Sequence, residues 1–349
     1  MVLADSLVGS LPFRETDTDP YASLTVDDTV PALSTVYVSE VNNPFVFKAA
    51  SAVSVGASEV FALSTAARPL SQGQFGQFPL YAFTSEGVWA LSVSTTGTYL
   101  AVQPIVRDTT ININSITQID AAVLFTSARG VMMLTGSEAQ PISDVIDTDV
   151  PSPLSSLPGF SQLFTGARPL EIRPFPAFLA DARMLYDYPH QRIILYNPDL
   201  PYAYVFSLKS RLWSMMQAQI SSTVNSYPQP LALNKNGEVL DFSQSSQSSV
   251  HSVLLTRPLK LQGADILKTV DTVIQRGLFA DGHVSTVLYG SRDLIHWFLV
   301  WSSRDHYLTA FRGSPYKFFR IAAGASLTSG ETITGASISF TPRHVTKLH

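Results

Sequence analysis

A hairpin pattern that occurs twice in the first half of the chain constrains the fold more than any other feature. Residues 80–84 and 88–93 are rich in β-branched, aromatic and small apolar side chains, and Gly87 stands at the turn between them. Glycine readily adopts the positive φ that a tight hairpin turn requires, so the pattern predicts strand, turn, strand. Residues 123–127 and 131–134 repeat it around Gly130.

The spacing of the two hairpins indicates a repeating unit. Phe83 and Phe125 each begin a Phe-Thr-Ser triplet, 42 residues apart, and weaker hairpin patterns follow at residues 192–206 and 233–242. A repeat of about 40–50 residues made of antiparallel hairpins is typical of β-propeller blades. A large irregular β-sandwich could also contain two similar hairpins, and it stays open as an alternative.

Composition supports strands over helices. The 349 residues include only 8 Glu and 7 Lys, while Ser, Thr, Val and aromatic residues are plentiful, a bias that suits pleated surfaces. The chain has no cysteine, which excludes disulfides, thiolate metal sites and a Cys nucleophile. A net charge of −4 is too small to indicate wholesale adhesion to nucleic acid or membranes.

The last hundred residues differ from the rest. Residues 251–349 hold 11 Lys or Arg against 6 Asp or Glu, whereas residues 1–250 hold 12 against 21. Six short strand patterns follow residue 250, at residues 253–256, 270–274, 285–289, 297–301, 316–321 and 336–340. Such spacing is typical of an antiparallel sandwich. We therefore predict an all-β chain, with an irregular β-propeller-like domain over residues 1–250 and a β-sandwich domain over residues 251–349.

The stretch from residue 142 to residue 189 is rich in Pro and Asp. Proline removes a backbone donor and fixes φ, so we expect a surface excursion there. A short helix is predicted at residues 178–185.

Residues 291–297, Ser-Arg-Asp-Leu-Ile-His-Trp, lie between two apolar strand patterns. A Ser-x-Asp sequence lets the carboxylate accept backbone N–H bonds, so a hairpin turn is predicted, with Trp297 packed on the core. His296 is a candidate acid or base, but no nucleophile accompanies it in the sequence.

Other candidate residues have ordinary structural explanations. A calcium site is conceivable at one of two acidic clusters, but Asp in Pro-rich loops mostly caps turns. The four Trp residues could stack on sugars, but they fall in strand patterns and are expected to be buried. Basic residues of the second domain could meet DNA or an acidic partner, although a solvated face is the default. The first acidic cluster is Asp144, Asp147 and Asp149, and the second is Asp17 and Asp19. The Trp residues are Trp89, Trp213, Trp297 and Trp301, and the basic residues are Arg257, Arg276, Arg292, Arg304, Arg312 and Arg320.

No nucleophile elbow, phosphate-binding loop or zinc-protease motif is present in the sequence. The Gly73–Gly76 pair is too closely spaced for a phosphate cradle and is expected to shape a bend. We predict no catalytic, cofactor-binding or metal-binding residue, and no cofactor.

Several segments resemble a family of large proteins encoded in prophages of gut bacteria. They are residues 71–91, 205–214, 257–261, 289–293 and 315–320. The likeness covers most of residues 40–349. The arrangement of this chain is also similar, more distantly, to the β-propellers of tail nozzle proteins and packaged-DNA-stabilising proteins of short-tailed phages.

The resemblance implies a virion structural protein, in the tail or the head–tail connector, acting through protein–protein contacts rather than as an enzyme. Other virion proteins are the expected partners, with homo-oligomers in the particle. A membrane is not expected and nucleic acid is an improbable partner. The expected location is the virion, and the host cytoplasm during assembly. Two alternatives stay open: a glycan-binding module for the host surface, and a polysaccharide hydrolase on a propeller.

Overall fold

The computed structural model is almost entirely β, with several antiparallel sheets and very little helix. The coarse fold class predicted from the sequence is therefore confirmed. The structure describes residues 2–4, 32–40, 42–66, 78–93, 99–101, 103–147, 157–159, 172–225, 229–244, 250–263, 266–309 and 314–342.

The chain divides into two compact units. Unit 1 comprises residues 1–150 and 173–243, and unit 2 comprises residues 151–172 and 244–349. Relative to the predicted division at residue 250, the second unit thus also contains residues 151–172 and 244–250.

The described residues of unit 1 form five antiparallel sheets, and each sheet is built from described strands that are consecutive in the chain. Sheet 1 contains β1 (Val2–Ala4), β2 (Thr35–Glu40) and β3 (Asn43–Ser54). Sheet 2 contains β4 (Val60–Thr65), β5 (Leu80–Thr84), β6 (Gly87–Val93), β7 (Tyr99–Leu100) and β8 (Pro104–Val106). Sheet 3 contains β9 (Thr117–Ile119), β10 (Ala122–Ser127), β11 (Gly130–Thr135) and β12 (Glu138–Pro141). Sheet 4 contains β13 (Arg183–Asp187), β14 (Arg192–Tyr196), β15 (Ala203–Ser207) and β16 (Trp213–Met216). Sheet 5 contains β17 (Ile220–Asn225), β18 (Pro230–Asn234) and β19 (Val239–Asp241).

The five sheets pack on one another in chain order. The first strand of each sheet contacts the first strand of the next, from β1 to β4, β9, β13 and β17. Apolar clusters fill the spaces between sheets 1 and 2, between sheets 2 and 3, and between sheets 4 and 5. All four hairpins expected from the sequence are present as β5–β6, β10–β11, β14–β15 and β18–β19.

The repeat is one residue longer than the triplet alignment suggested. Thr84 pairs with Gly87 at one hairpin turn and Ser127 pairs with Gly130 at the other, so equivalent positions are 43 residues apart. A shift of one residue moves a side chain to the opposite face of a strand. Phe83 and Phe125 therefore occupy opposite faces of their sheets, and their rings meet edge to face with centroids 5.4 Å apart. The matching triplets mark a contact between sheets rather than equivalent positions.

Polar groups join sheets 3 and 4. The buried Asn112 precedes a 3₁₀ turn (Ile113–Ser115), and its Nδ2 donates to the carbonyl oxygen of Ala182 at 2.6 Å. The Thr117 hydroxyl donates to the carbonyl oxygen of Met184 at 3.4 Å. Hydrogen-bonded buried polar groups fix a geometry more narrowly than apolar contact does.

The two helices described are short: α1 (Asp144–Asp147) and α2 (Phe175–Leu179). The helix predicted at residues 178–185 was misplaced, because Arg183 already begins β13. Pro174 and Pro176 explain the shift, since proline is tolerated in the first turn of a helix. Neither helix is long enough to cross a membrane, and no other described segment forms one that is.

Two antiparallel sheets are formed by the part of unit 2 that the structure describes. Sheet 6 contains β20 (Val250–Leu255), β21 (Leu259–Lys260), β23 (Val284–Ser291), β24 (Phe298–Ser303) and β26 (Phe318–Leu327), with β24 at one end of the strand order. Sheet 7 contains β22 (Lys268–Leu278), β25 (Tyr307–Thr309) and β27 (Thr332–Pro342). Side chains from both sheets form one apolar core around Val273, Leu288 and Phe319. All six strands predicted after residue 250 are present.

The turn at Gly87 yields a stability prediction. Gly87 has a φ of +132°, and a Cβ there would lie 2.2 Å from the carbonyl oxygen of Val106. We expect Gly87→Ala to lower the free energy of unfolding by about 2–3 kcal/mol, from strain and overpacking together. Gly237→Ala is the matched control, because Gly237 also has a positive φ but nothing lies within 4 Å of the added Cβ. Urea unfolding of the full chain should show a clearly smaller loss for the control, and equal losses would contradict the assigned packing.

A carboxylate in unit 2 yields a pH prediction. Glu331 accepts hydrogen bonds from the backbone N–H groups of Thr328 and Ala280 and from Nδ1 of His283, each at 2.8–2.9 Å. The Thr328 bond, followed by those of His283 and Ala280, lowers the pKa of Glu331 to about 2. A lowered pKa stabilises the fold above the unfolded-state value near 4.5, and this contribution is lost as the pH falls towards 2.

We therefore expect Glu331→Gln to lower the Tm at pH 7, and the Tm difference from the parent to shrink between pH 4.5 and pH 2. Calorimetry across this pH range measures the Tm difference. Glu138→Gln is the control, because Glu138 is exposed. A difference that stays constant with pH would contradict the assignment.

Candidate functional site

A cleft of about 340 Å³ lies in unit 2 beside the turn that joins β23 and β24. We call it the hairpin cleft. It is lined by Arg292, Asp293, His296, Phe298, Ser314 and Tyr316.

The floor of the hairpin cleft is the Ser-x-Asp turn predicted from the sequence. The Ser291 hydroxyl oxygen accepts the backbone N–H of Leu294 at 2.9 Å, and Oδ1 of Asp293 accepts those of Ile295 and His296 at 2.9 and 2.8 Å. These bonds satisfy donors that the tight turn leaves unpaired. The turn therefore holds the Asp293 carboxylate in a fixed position.

Asp293 also engages His296. Oδ2 of the carboxylate lies 2.6 Å from Nδ1 of the ring. The side chain and backbone N–H of His296, with the N–H of Ile295, hold the pKa of Asp293 far below its usual value. Asp293 is thus an anion at neutral pH.

An aromatic wall forms one side of the hairpin cleft. Phe298 and Tyr316 are nearly parallel, at 23°, with ring centroids 6.1 Å apart. Phe298 pairs with Gly290 across the β23–β24 ladder, and a Cβ on Gly290 would lie 2.3 Å from Cδ2 of Tyr316. The Tyr316 ring therefore occupies the space that the missing side chain leaves. The backbone of Tyr316 is fixed by reciprocal hydrogen bonds to Lys268, of 2.8 and 3.0 Å.

Arg292 supplies the cation of the hairpin cleft. Its guanidinium carbon lies 6.0 Å from the centroid of the Tyr316 ring. Within the described ranges, no carboxylate pairs with Arg292, although six other ion pairs or carboxylate–histidine pairs are formed. Its N–H donors are therefore directed to solvent or to a ligand.

The chemistry of the hairpin cleft suits recognition. It combines an apolar wall, an anchored anion, a cation and an imidazole ring. The side chains of His296 and Asp293 are 72% and 46% exposed. In the part of the chain that the structure describes, His296 forms no hydrogen bond to a Ser or Thr hydroxyl, so the arrangement lacks the nucleophile–base contact of a hydrolase triad.

A second exposed feature adjoins the hairpin cleft. Ile295, Leu299 and Trp301 are 76%, 40% and 49% exposed, and they follow the turn and strand β24. We call these three residues the β24 ridge. β24 pairs with β23 on one side and with no other strand of the described chain. The β24 ridge thus places exposed apolar side chains along a strand that ends the described strand order.

The four Trp residues do not share one environment. Trp89 is buried as expected, Trp213 is half-buried, and Trp297 lies just before β24 with the Arg320 guanidinium 4.5 Å from its ring. The expected burial of Trp301 was wrong, because β24 is an edge strand.

The remaining candidate residues are dispersed. Asp144 is exposed on α1, while Asp149, Asp17, Asp19 and the side chain of Asp147 lie outside the described residues. Within the described ranges no three His, Asp or Glu side chains are grouped as metal ligands. Of the basic set, Arg257, Arg276 and Arg304 are exposed, whereas Arg312, like residues 73–76, lies outside the described part.

Sequence reasoning identified one half of the hairpin cleft and missed the other. The turn was predicted from residues 291–297, but nothing in the sequence joined Tyr316 to it. The available signal was indirect: residues 289–293 and 315–320, both noted for the same resemblance, meet at this cleft.

No family model matches this chain, and no curated protein matches it. Among solved structures, a chain described as a glycoside hydrolase aligns with 81% of this chain and 84% of its own length, at 9% identity and a TM-score of 0.20. A likeness at that TM-score carries no argument about fold or activity.

The close approach at Gly290 can be tested by substitution. We expect Gly290→Ala to displace the Tyr316 ring and to lower the free energy of unfolding by about 1–3 kcal/mol, the usual cost of overpacking. Gly335→Ala is the control, because nothing lies within 4 Å of a Cβ there. Urea unfolding gives the energies, and NMR contacts between Phe298 and Tyr316 report the ring position. An unchanged ring contact in Gly290→Ala would contradict the packing described.

Proposed function

We propose that unit 1 is an irregular five-bladed β-propeller-like body and unit 2 a β-sandwich. Serial sheets whose first strands adjoin one another support the first part, since propeller blades are consecutive antiparallel sheets with their first strands innermost. The core shared by sheets 6 and 7 supports the second part.

We propose further that the protein is a structural component of a phage or prophage virion, in the tail or the head–tail connector. The observation that carries this proposal is the β24 ridge. Large apolar side chains on an open strand edge are unfavourable in an isolated protein, because they invite pairing with another chain. An assembled particle would cover such an edge. The sequence resemblance supplies the virion as the setting.

The mechanism is burial of surface between rigid β units, without a chemical step. Only 14% of the residues are charged, so few ions need to lose their hydration at contacts. The proposed partners are other virion proteins and further copies of this chain. The proposed location is the virion, with the host cytoplasm as the place of assembly.

Mass spectrometry of particles purified after prophage induction tests this proposal. We expect the protein at a fixed copy number per particle that persists through gradient purification and nuclease treatment. The major capsid protein serves as the internal reference. Complete particles that lack this protein would overturn the proposal.

The β24 ridge can be tested separately. In a lysogen deleted for the gene and complemented with variants, we expect Leu299→Lys to reduce incorporation into particles by about tenfold or more, because a charge at the contact must be desolvated. Val239→Lys is the control, since Val239 is similarly exposed but belongs to β19 of unit 1. Thermal unfolding shows whether both variants stay folded. Equal incorporation of the two would contradict a role for the ridge.

A further inference from the structure

We propose that the hairpin cleft binds one neutral pyranose residue of a glycan. This goes beyond the structural role, because the ligand is recognised by residues that the assembly contact at the β24 ridge does not use. The size of the cleft, its aromatic wall and its polar groups all favour such a ligand.

The size of the cleft suits a single sugar residue. Its volume of about 340 Å³ is at the lower end of the range of roughly 300–1,000 Å³ found for small-molecule sites. A pyranose ring has an apolar face of C–H groups and a rim of hydroxyls. The wall of Phe298 and Tyr316 offers aromatic faces, whose negative potential attracts polarised C–H groups.

The polar groups of the hairpin cleft favour a ligand that carries hydroxyl groups. Oδ1 of Asp293 already accepts the N–H groups of Ile295 and His296, and lies 3.1 Å from the Ser291 hydroxyl. Among the described residues, Oδ2 contacts only His296 and keeps a lone pair for a ligand. Arg292 supplies N–H donors. Adjacent donor and acceptor groups match neighbouring sugar hydroxyls, each of which both donates and accepts.

The same groups disfavour an anion. An acidic sugar or a phosphate would meet the Asp293 carboxylate, which stays ionised at neutral pH. The Asp293 carboxylate offsets the positive charge of Arg292, so this pair of residues gives little attraction for an anion. The preferred ligand is therefore uncharged.

The site is also preorganised. Gly290 admits the Tyr316 ring, Lys268 fixes the Tyr316 backbone, and the turn bonds fix Asp293. A preformed site loses less conformational entropy on binding, which allows a shallow cleft to hold a small polar ligand with weak but measurable affinity.

Saturation-transfer NMR on the full-length protein tests the inference. The probes are the methyl glycosides of glucose, galactose, mannose and N-acetylglucosamine, with methyl glucuronide and inorganic phosphate as anionic comparators. We expect at least one neutral glycoside to bind with a Kd on the order of 1 mM and the anions to bind at least tenfold more weakly. Absence of signal for all four neutral glycosides, or tighter binding of an anion, overturns the inference.

Matched variants locate the binding. We expect Arg292→Met and Phe298→Leu each to raise the Kd of the bound glycoside by about tenfold, while Arg304→Met and Trp301→Ala leave this Kd unchanged. Arg304 and Trp301 follow the same hairpin, outside the cleft. Circular dichroism and Tm confirm folding, and equal weakening in test and control variants overturns the assignment. Particle composition is measured independently, so a failure of sugar binding is distinguishable from a failure of the structural role.

Discussion

The fold of unit 1 depends on the burial of both faces of its sheets. In sheet 2, Tyr81 and Phe83 face the core shared with sheet 3, whereas Ala82, Trp89 and Leu91 face the core shared with sheet 1. A sheet with two apolar faces is not stable alone in water, because each face must be covered. Sheets 2, 3 and 4 each have a neighbour on both sides, and the chain supplies these neighbours in order.

Unit 2 also buries both faces of sheet 6, but apolar side chains stay exposed along one of its strands. Sheet 6 covers one face with sheet 7 and packs the other around Leu157, Tyr289 and Trp297. Its strand order still ends at β24, where apolar side chains stand exposed. Leu299 and Trp301 stand exposed along this strand, which is where we place the assembly contact.

One hairpin supplies both proposed binding features. The β23–β24 turn fixes Asp293 and presents Arg292 to the cleft, and the strand that follows carries the ridge. Their residues differ, so assembly and sugar binding can be separated by mutation. Phe298 belongs to the cleft through its pairing with Gly290, whereas Leu299, its neighbour, belongs to the ridge.

The sequence by itself determined the all-β class, the positions of the main hairpins and the turn at residues 291–297. These features depend on local chemistry: β-prone side chains, glycines at turns, and a carboxylate two residues after a serine. Periodicity did not assign faces within β5 and β10, because nearly every residue in those strands is buried. The one-residue error in the repeat follows from this. Only the tertiary structure decided that Trp301 is exposed, since strand order determines which strand is an edge. It also brought Tyr316 to Gly290 and Phe298, because that contact joins residues distant in the chain through packing that no local pattern encodes.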